Sequence, residues 1–361
     1  MTADDFPAPQ PGDVMPAFFG LSHGGAVFSS EEQAGRAAAL ILLGAQYARD
    51  PAPLVRAFSR RIDAFTALAS DIVVMTSGQS MAEAFDPSDC RGIRLLQDLS
   101  DSAGRCGLRP DDAVVIVIDR SRRVALRVDL SQADDPVDLC LASLARLPAE
   151  PRHDAVMPAP VLMLPNLLPP AVCRDLIAHF ERSPNFEGRM ASAGADNLAV
   201  NRLDRAKKSR RDLVIEDDDP VWGWLRETVF RRCRAEIKRA FQADITCCDR
   251  LALARYDAGA GWFARHRDNV SEQVAFREFA ISINLNEGEY DGGCLSFPEY
   301  NDHLYRPQAG AGIVFSASIL HEATPVTRGS RYVLLTFFHG DAAESRRVER
   351  ELRRSQELEV G

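Results

Sequence analysis

Apolar and polar positions fall into two rhythms along the chain, and the change between them comes near residue 148. In the first stretch, "AAALILLG" (37–44) and "DIVVMTSG" (71–78) are almost continuous apolar runs, which predict strands buried on both faces. Between them "APLVRAFSRRIDAFTALA" (52–69) sets its apolar residues at helical spacing, and "AVVIVIDRSRRVALRVD" (113–129) predicts two strands joined by a polar turn. Helices alternating with such strands predict an α/β sandwich.

Seven prolines between 148 and 170 interrupt any regular helix, and within them "VLMLPNLL" is apolar enough for an edge strand entering a new domain. Helices are predicted over 168–181, with Val172, Cys173, Leu176, Ile177 and Phe180 on one face, and over 217–241, behind an acidic cap and Pro220. Strands follow at 250–259, 278–287, 293–300, 311–318 and 331–340. In the second of these Phe279, Ile281, Ile283 and Leu285 alternate with Ala280, Ser282, Asn284 and Asn286, the period of a sheet with two distinct faces. Short strands separated by Gly, Asn and Pro turns predict a jelly roll, or double-stranded β-helix, with flanking helices. The resulting division is a first domain over 1–147, a proline-rich linker over 148–160, a second domain over 161–345 and a charged tail over 346–361.

Composition narrows this picture. The 361 residues suffice for two domains, and 46% hydrophobic with 26% charged residues describes a folded chain. A net charge of −9 argues against nucleic acid as a partner. One basic patch, "RLDRAKKSRRD" (202–212), holds two of the three lysines and reads first as a solvated loop, second as a rim hinting at an acidic substrate group. Eight cysteines without a repeated short spacing, and no apolar leader, predict a reduced, cytoplasmic protein. The apolar run 37–45 is too short to cross a membrane.

The candidate chemistry lies in "GWFARHRDNV" (261–270). Residues two apart on a strand share a side, so His266 and Asp268 can converge on one ion from a strand end. His321 in "SILHEATPV" follows an apolar strand and offers a third ligand; two imidazoles and one carboxylate on one face of an octahedral metal suit a non-haem iron oxygenase. Arg331 opens a strand otherwise fit for a core, and its fork suits the far carboxylate of a dicarboxylic co-substrate, to which Tyr256 could donate a hydrogen bond. His179, His303 and His339 do not fit the spacing and read as packed, loop and outer-shell or surface residues. Gly292 and Gly293 read as a tight turn, and Trp262 and Phe263 as cleft wall or core.

Taken together, "RYDAGAGWFARHRD" (255–268), "DGGCLSFPEY" (291–300) and "HEATPVTRGSRYVLLTFF" (321–338) closely resemble the 2-oxoglutarate- and iron(II)-dependent dioxygenases of the prolyl 4-hydroxylase type, over roughly residues 160–340. The resemblance implies that His266, Asp268 and His321 hold Fe(II) and that Arg331, where the family often has lysine, binds the far carboxylate of 2-oxoglutarate with help from Tyr256. It further implies dioxygen as second co-substrate, ascorbate as an accessory reductant, and hydroxylation of an unactivated C–H bond with release of succinate and CO2. The substrate it implies is a prolyl residue, proline or another amino-acid, peptide or small-molecule substrate. Segments 186–212 and 269–277 are expected to close over the cleft.

The first stretch, from "PGDVMPAFFGLSHGGAVFS" (11–29) to residue 124, resembles the peroxiredoxin branch of the thioredoxin-like fold in element order. Where that family places its reactive cysteine, "GAQYARDPAPL" (44–54) has none, so thiol peroxidase chemistry is not expected. Cys90 and Cys106 read as core or loop residues, and the domain as a dimerisation surface or a support. A non-catalytic metal-binding scaffold and a desaturating or ring-forming oxygenase stand as rival readings.

Overall fold

A computed structural model describes residues 8–47, 49–77, 85–148, 154, 156–188, 190–193, 199–202, 207–216 and 218–360. The chain divides into two compact units, Met1–Arg152 and His153–Gly361.

The first unit is built on β1 (Phe19–Ser22), β2 (Val27–Ser29), β3 (Ala37–Leu43), β4 (Ser70–Thr76), β5 (Ile93–Asp98), β6 (Ala113–Ile118) and β7 (Val124–Asp129), with helices α1 (Ala52–Arg60), α2 (Ile62–Ala67), α3 (Ser102–Arg105) and α4 (Pro136–Ala145). One mixed sheet runs β2-β1-β5-β4-β3-β6-β7, parallel at β3/β4 and β4/β5 and antiparallel elsewhere. The continuous apolar run of β3 follows from its two buried faces: Ala37, Ala39, Ile41 and Leu43 join one core, and Ala38, Leu40 and Leu42 another. The single helix predicted over 52–69 is two, because the backbone leaves helical angles at Arg61 and tightens into i→i+3 bonds there.

The second unit contains β8 (Leu162–Leu164), α5 (Pro170–Arg182), β9 (Phe186–Glu187), β10 (Met190–Ala193), β11 (Ala199–Arg202), β12 (Lys208–Ser209), β13 (Arg211–Ile215), α6 (Pro220–Phe241) and β14 (Cys247–Asp257). There follow β15 (Trp262–His266), β16 (Phe279–Asn284), β17 (Asp291–Gly292), β18 (Leu295–Ser296), β19 (Gly312–Ser316), β20 (His321–Ala323), β21 (Val326–Arg328), β22 (Ser330–His339) and α7 (Asp341–Val360). The larger sheet runs β8-β19-β16-β22-β14-β13-β9 and the smaller β12-β15-β20-β18. β8 sits at the edge, as its sequence predicts. The strand predicted over 293–300 keeps just two residues, since Pro298 cannot continue the ladder.

The alternation of β16 explains the layering. Phe279, Ile281 and Ile283 face α5 and α6 in one core with Leu176, Phe180, Leu225 and Val229. Ala280 faces the other way, into a second core where β14, β19 and β22 meet Leu295 and Ala323 of the smaller sheet. The two antiparallel sheets with flanking helices are consistent with a double-stranded β-helix. The boundary expected at 345 falls inside α7, so the charged residues beyond it are helical.

Candidate active site

Strand pairing assembles the predicted residues. β15 runs antiparallel to β20 with His266 opposite His321, and between Phe263 and His266 it carries one residue more than its partner. That bulge turns two residues three apart toward the same side, so Phe263 stacks on His266 with centroids 3.5 Å apart and planes at 18°. Asp268 lies just past the strand end, its backbone N–H donating to Ala317 at 2.9 Å.

His266 Nε2 is 3.5 Å from Asp268 Oδ1, and His321 Nε2 is 3.5 Å from Oδ2. Ligand atoms of all three residues lie within 4.8 Å of one another. His266 Nδ1 meets the Ala264 carbonyl at 2.8 Å and His321 Nδ1 the Ile319 carbonyl at 3.0 Å. Neutral rings that donate from Nδ1 turn unprotonated Nε2 atoms toward a carboxylate, a set of acceptors that calls for a cation among them. Burial pushes the His321 imidazole pKa down, so the ring is neutral at physiological pH. Burial also pushes the Asp268 carboxyl up, and it is positive charge beside it, at His321, at His266 and more weakly at Arg277, that draws the group down to about 2; with both rings neutral, that charge is the part a bound cation would play. The arrangement is a two-histidine, one-carboxylate set suited to iron(II).

A cavity of about 420 Å³ opens on these residues. Arg331 lines it from β22, directly opposite Tyr256 of β14. Arg331 is 97% buried; its guanidinium lies 5.4 Å from the Tyr256 ring and reaches Ser282 Oγ at 3.4 Å, while its Nε has no hydrogen-bond partner among the described residues. No carboxylate pairs with it among the described residues. A buried cation in this condition suits an anionic ligand, so the cavity also fits a dicarboxylate co-substrate. Gly293, at φ +60°, keeps the space: a Cβ there would come 2.9 Å from Arg331 Cδ.

The structure also gives positions to the basic residues of the expected rim and lid. Lys208, read first as part of a solvated loop and second as part of a rim, is buried opposite Phe263, and burial followed by repulsion from Arg210 pushes its amine down to about 7. Arg210 donates to the Tyr256 hydroxyl at 2.8 Å. Arg250 and Arg277 also line the cavity. The signal was the KKSRR run itself; what hid its role was the chain's crossing from the smaller sheet (β12) to the larger (β13) at Arg210. Of the expected lid, 189, 194–198 and 203–206 lie outside the described residues, while Val270, Ser271, Val274 and Arg277 do line the cavity. His303 stays in a loop and His179 meets Asp219 at 3.3 Å. His339, read as outer-shell or surface, is instead buried against Glu344 at 2.7 Å, and with Cys247 these form a second group of metal-capable atoms.

The model of the 2OG-Fe(II) oxygenase superfamily matches residues 251–339. A PKHD-type hydroxylase of Paracoccus denitrificans (strain Pd 1222) is 30% identical over 183 residues, covering 48% of this chain and 74% of the relative. Among curated relatives the matching stretch spans from 37% to 77% of their length. A Pseudomonas putida prolyl-4-hydroxylase structure aligns with 50% of this chain and 93% of its own at 21% identity and a TM-score of 0.39. The peroxidoxin BcpB of Mycobacterium tuberculosis aligns with 39% of this chain and 99% of its own at 18% identity and a TM-score of 0.34, a distant, partial match. Shared across nearly three quarters of the Paracoccus protein, the sequence identity extends well beyond the few residues of the site, and the chain belongs to the PKHD-type hydroxylases of the 2OG-Fe(II) oxygenase superfamily.

Proposed function

We propose that this chain is an iron(II)- and 2-oxoglutarate-dependent dioxygenase that hydroxylates an unactivated C–H bond of a prolyl residue, proline or another amino-acid-like substrate. The observation that carries the reading is the buried Arg331, unpaired with any carboxylate among the described residues, lining the same cavity as His266, Asp268 and His321. When bound, iron(II) with 2-oxoglutarate and dioxygen supplies the oxidising power, releasing succinate and CO2. The three side chains would hold the metal, their Nδ1–H bonds to backbone carbonyls fixing ring orientation. Arg331 would take the far carboxylate of the co-substrate. Tyr256, whose hydroxyl accepts from Arg210, keeps its own proton to donate to the same ligand. Phe263, Phe315 and Leu335 wall the cavity with apolar surface and limit water around the reacting atoms. Purified protein given Fe(II) and 2-oxoglutarate should form succinate in a manner dependent on oxygen and abolished by chelation; bound iron without any co-substrate turnover would favour the scaffold reading.

For the first unit the reading is a thioredoxin-like fold without thiol chemistry. No cysteine stands in 44–54, and burial pushes the Cys106 and Cys140 thiols up to about 12, far from the reactive thiolate state. Replacing Cys90 and Cys106 together with serine should leave both succinate formation and peroxide consumption unchanged. Thiol-driven peroxide consumption lost in that variant would overturn this reading.

A further inference from the structure

Arg331 meets the need of one dicarboxylate, yet the cavity holds more positive charge than that ligand uses. Lys208, Arg210, Arg250, Arg267 and Arg277 also line it, and among the described residues Asp268 is its sole acidic lining residue. Two of these cations are satisfied outside it: Arg267 by Glu299 at 2.6 Å, and Arg277 by Asp249 at 2.7 Å while it lies over the Phe337 ring. The other three converge on Asp212, a carboxylate 1% exposed. Arg210 Nε takes one oxygen at 2.6 Å and Lys208 Nζ the other at 3.1 Å. Arg250 comes last, 3.8 Å away, and makes no hydrogen bond among the described residues.

The backbone accounts for this aim. In the pairing of β14 with β22 the register slips between Asp249 and Ala252, so β14 carries one extra residue at Arg250–Leu251. Such a bulge re-aims a side chain, and here Arg250 lines the cavity while Leu251 is packed in the core beneath α6. A guanidinium pointed into a reaction cavity by an irregularity of its strand, behind a carboxylate already spent on two other cations, is an anion site awaiting its ligand.

We propose that Arg250, backed by Arg210, binds a carboxylate of the substrate to be oxidised, so that the enzyme acts on acidic, amino-acid-like molecules bearing a free carboxylate. This rests on the reading of the cavity as a 2-oxoglutarate oxygenase site. Two carboxylate-bearing partners then share one cavity without competing, the co-substrate at Arg331 and the substrate at Arg250.

The test uses a pair of probes that differ in charge alone, N-acetyl-L-prolinate and N-acetyl-L-prolinamide. Their binding is measured by calorimetry to the full chain loaded with Mn(II) in place of iron and saturated with 2-oxoglutarate. The acid should bind at least about tenfold more tightly than the amide, and Arg250→Gln should erase that preference while 2-oxoglutarate affinity stays within about twofold. Arg250→Lys should retain part of it, which separates a lost charge from a disturbed strand. Equal binding of the two probes, binding of neither, or a preference that survives in Arg250→Gln would overturn the proposal. Failure of the wild-type chain to bind 2-oxoglutarate would instead strike the function proposed above, and the acid–amide ratio measured without it would still decide whether Arg250 is an anion site.

Discussion

Two groups of side chains in the second unit bring three metal-capable atoms within 4.8 Å of one another: His266, Asp268 and His321, and Cys247, His339 and Glu344. Distance alone does not separate them. What separates them is how each carboxylate is already spent. Asp268 faces two imidazoles whose Nδ1 atoms are engaged with backbone carbonyls. Glu344 is gripped at both oxygens by Arg347, at 2.6 and 2.8 Å, and meets His339 Nε2 as well. A carboxylate whose charge is already offset by a guanidinium fork has little left to hold a metal ion, so the second group reads as a clasp that ties α7 to the end of β22. Metal sites are distinguished by the charge left over after a cluster's internal pairing.

The largest effect that would sharpen this contrast comes from Asp268→Ala, which should lower succinate formation by more than about a hundredfold and abolish stoichiometric iron binding with little change in the fold. Iron analysis and product assay on the same preparation check it; wild-type affinity with undiminished product would break the assignment. Next, Arg331→Ala should raise the 2-oxoglutarate concentration needed for half-maximal turnover by roughly ten- to a hundredfold at saturating iron, since a buried charge-assisted contact is lost without touching the metal set. An unchanged requirement would move the anchor to another cation of the cavity.

Glu344→Gln should leave iron content and turnover intact and cost stability instead. Hydrogen bonding from Arg347, first among the causes, holds the Glu344 carboxyl at about 2, below its ordinary 4.5. The charged form is therefore favoured by folding. Its contribution, on the order of 1–2 kcal/mol after allowance for partial exposure, is complete above pH 4.5 and lost as pH falls toward 2. Denaturant melts of the two proteins should differ at pH 7 and converge in acid; a difference that grows in acid would reverse the sign and refute the clasp. Smallest of all, Cys247→Ala should change stability by less than about 0.5 kcal/mol and leave metal content untouched, whereas a loss of bound metal would turn the clasp into a site.

Much of the fold can be read from the chain where one physical cause dominates. The seven apolar residues of β3 announce a strand with two buried faces, and the alternation in β16 separates the helix-facing from the cavity-facing side. His266, Asp268, His321, Arg331 and Tyr256 could be gathered from spacing and residue type because β14 and β22 pair regularly around Tyr256 and Arg331 and because His266 stands directly opposite His321. Hidden from that reasoning were the two bulges, since a single added residue reverses the facing of a side chain without altering composition. Phe263 on His266 and Arg250 in the cavity both depend on them. The burial of Lys208 and His339 was equally hidden, because each is decided by a partner strand or helix distant in sequence.

Arg331 carries a further consequence, for endurance. A guanidinium kept from water, with no counter-charge among the described residues, is a cost borne by the ligand-free fold, and whatever anion relieves it favours the folded over the unfolded chain. Mass action sets the scale: a ligand held at a hundred times its dissociation constant adds about 2.7 kcal/mol to the unfolding free energy. The melting temperature of this protein should therefore climb with co-substrate concentration even with no oxygen and no substrate present. In a cell, its lifetime against unfolding and proteolysis would follow the supply of the small acid that it consumes.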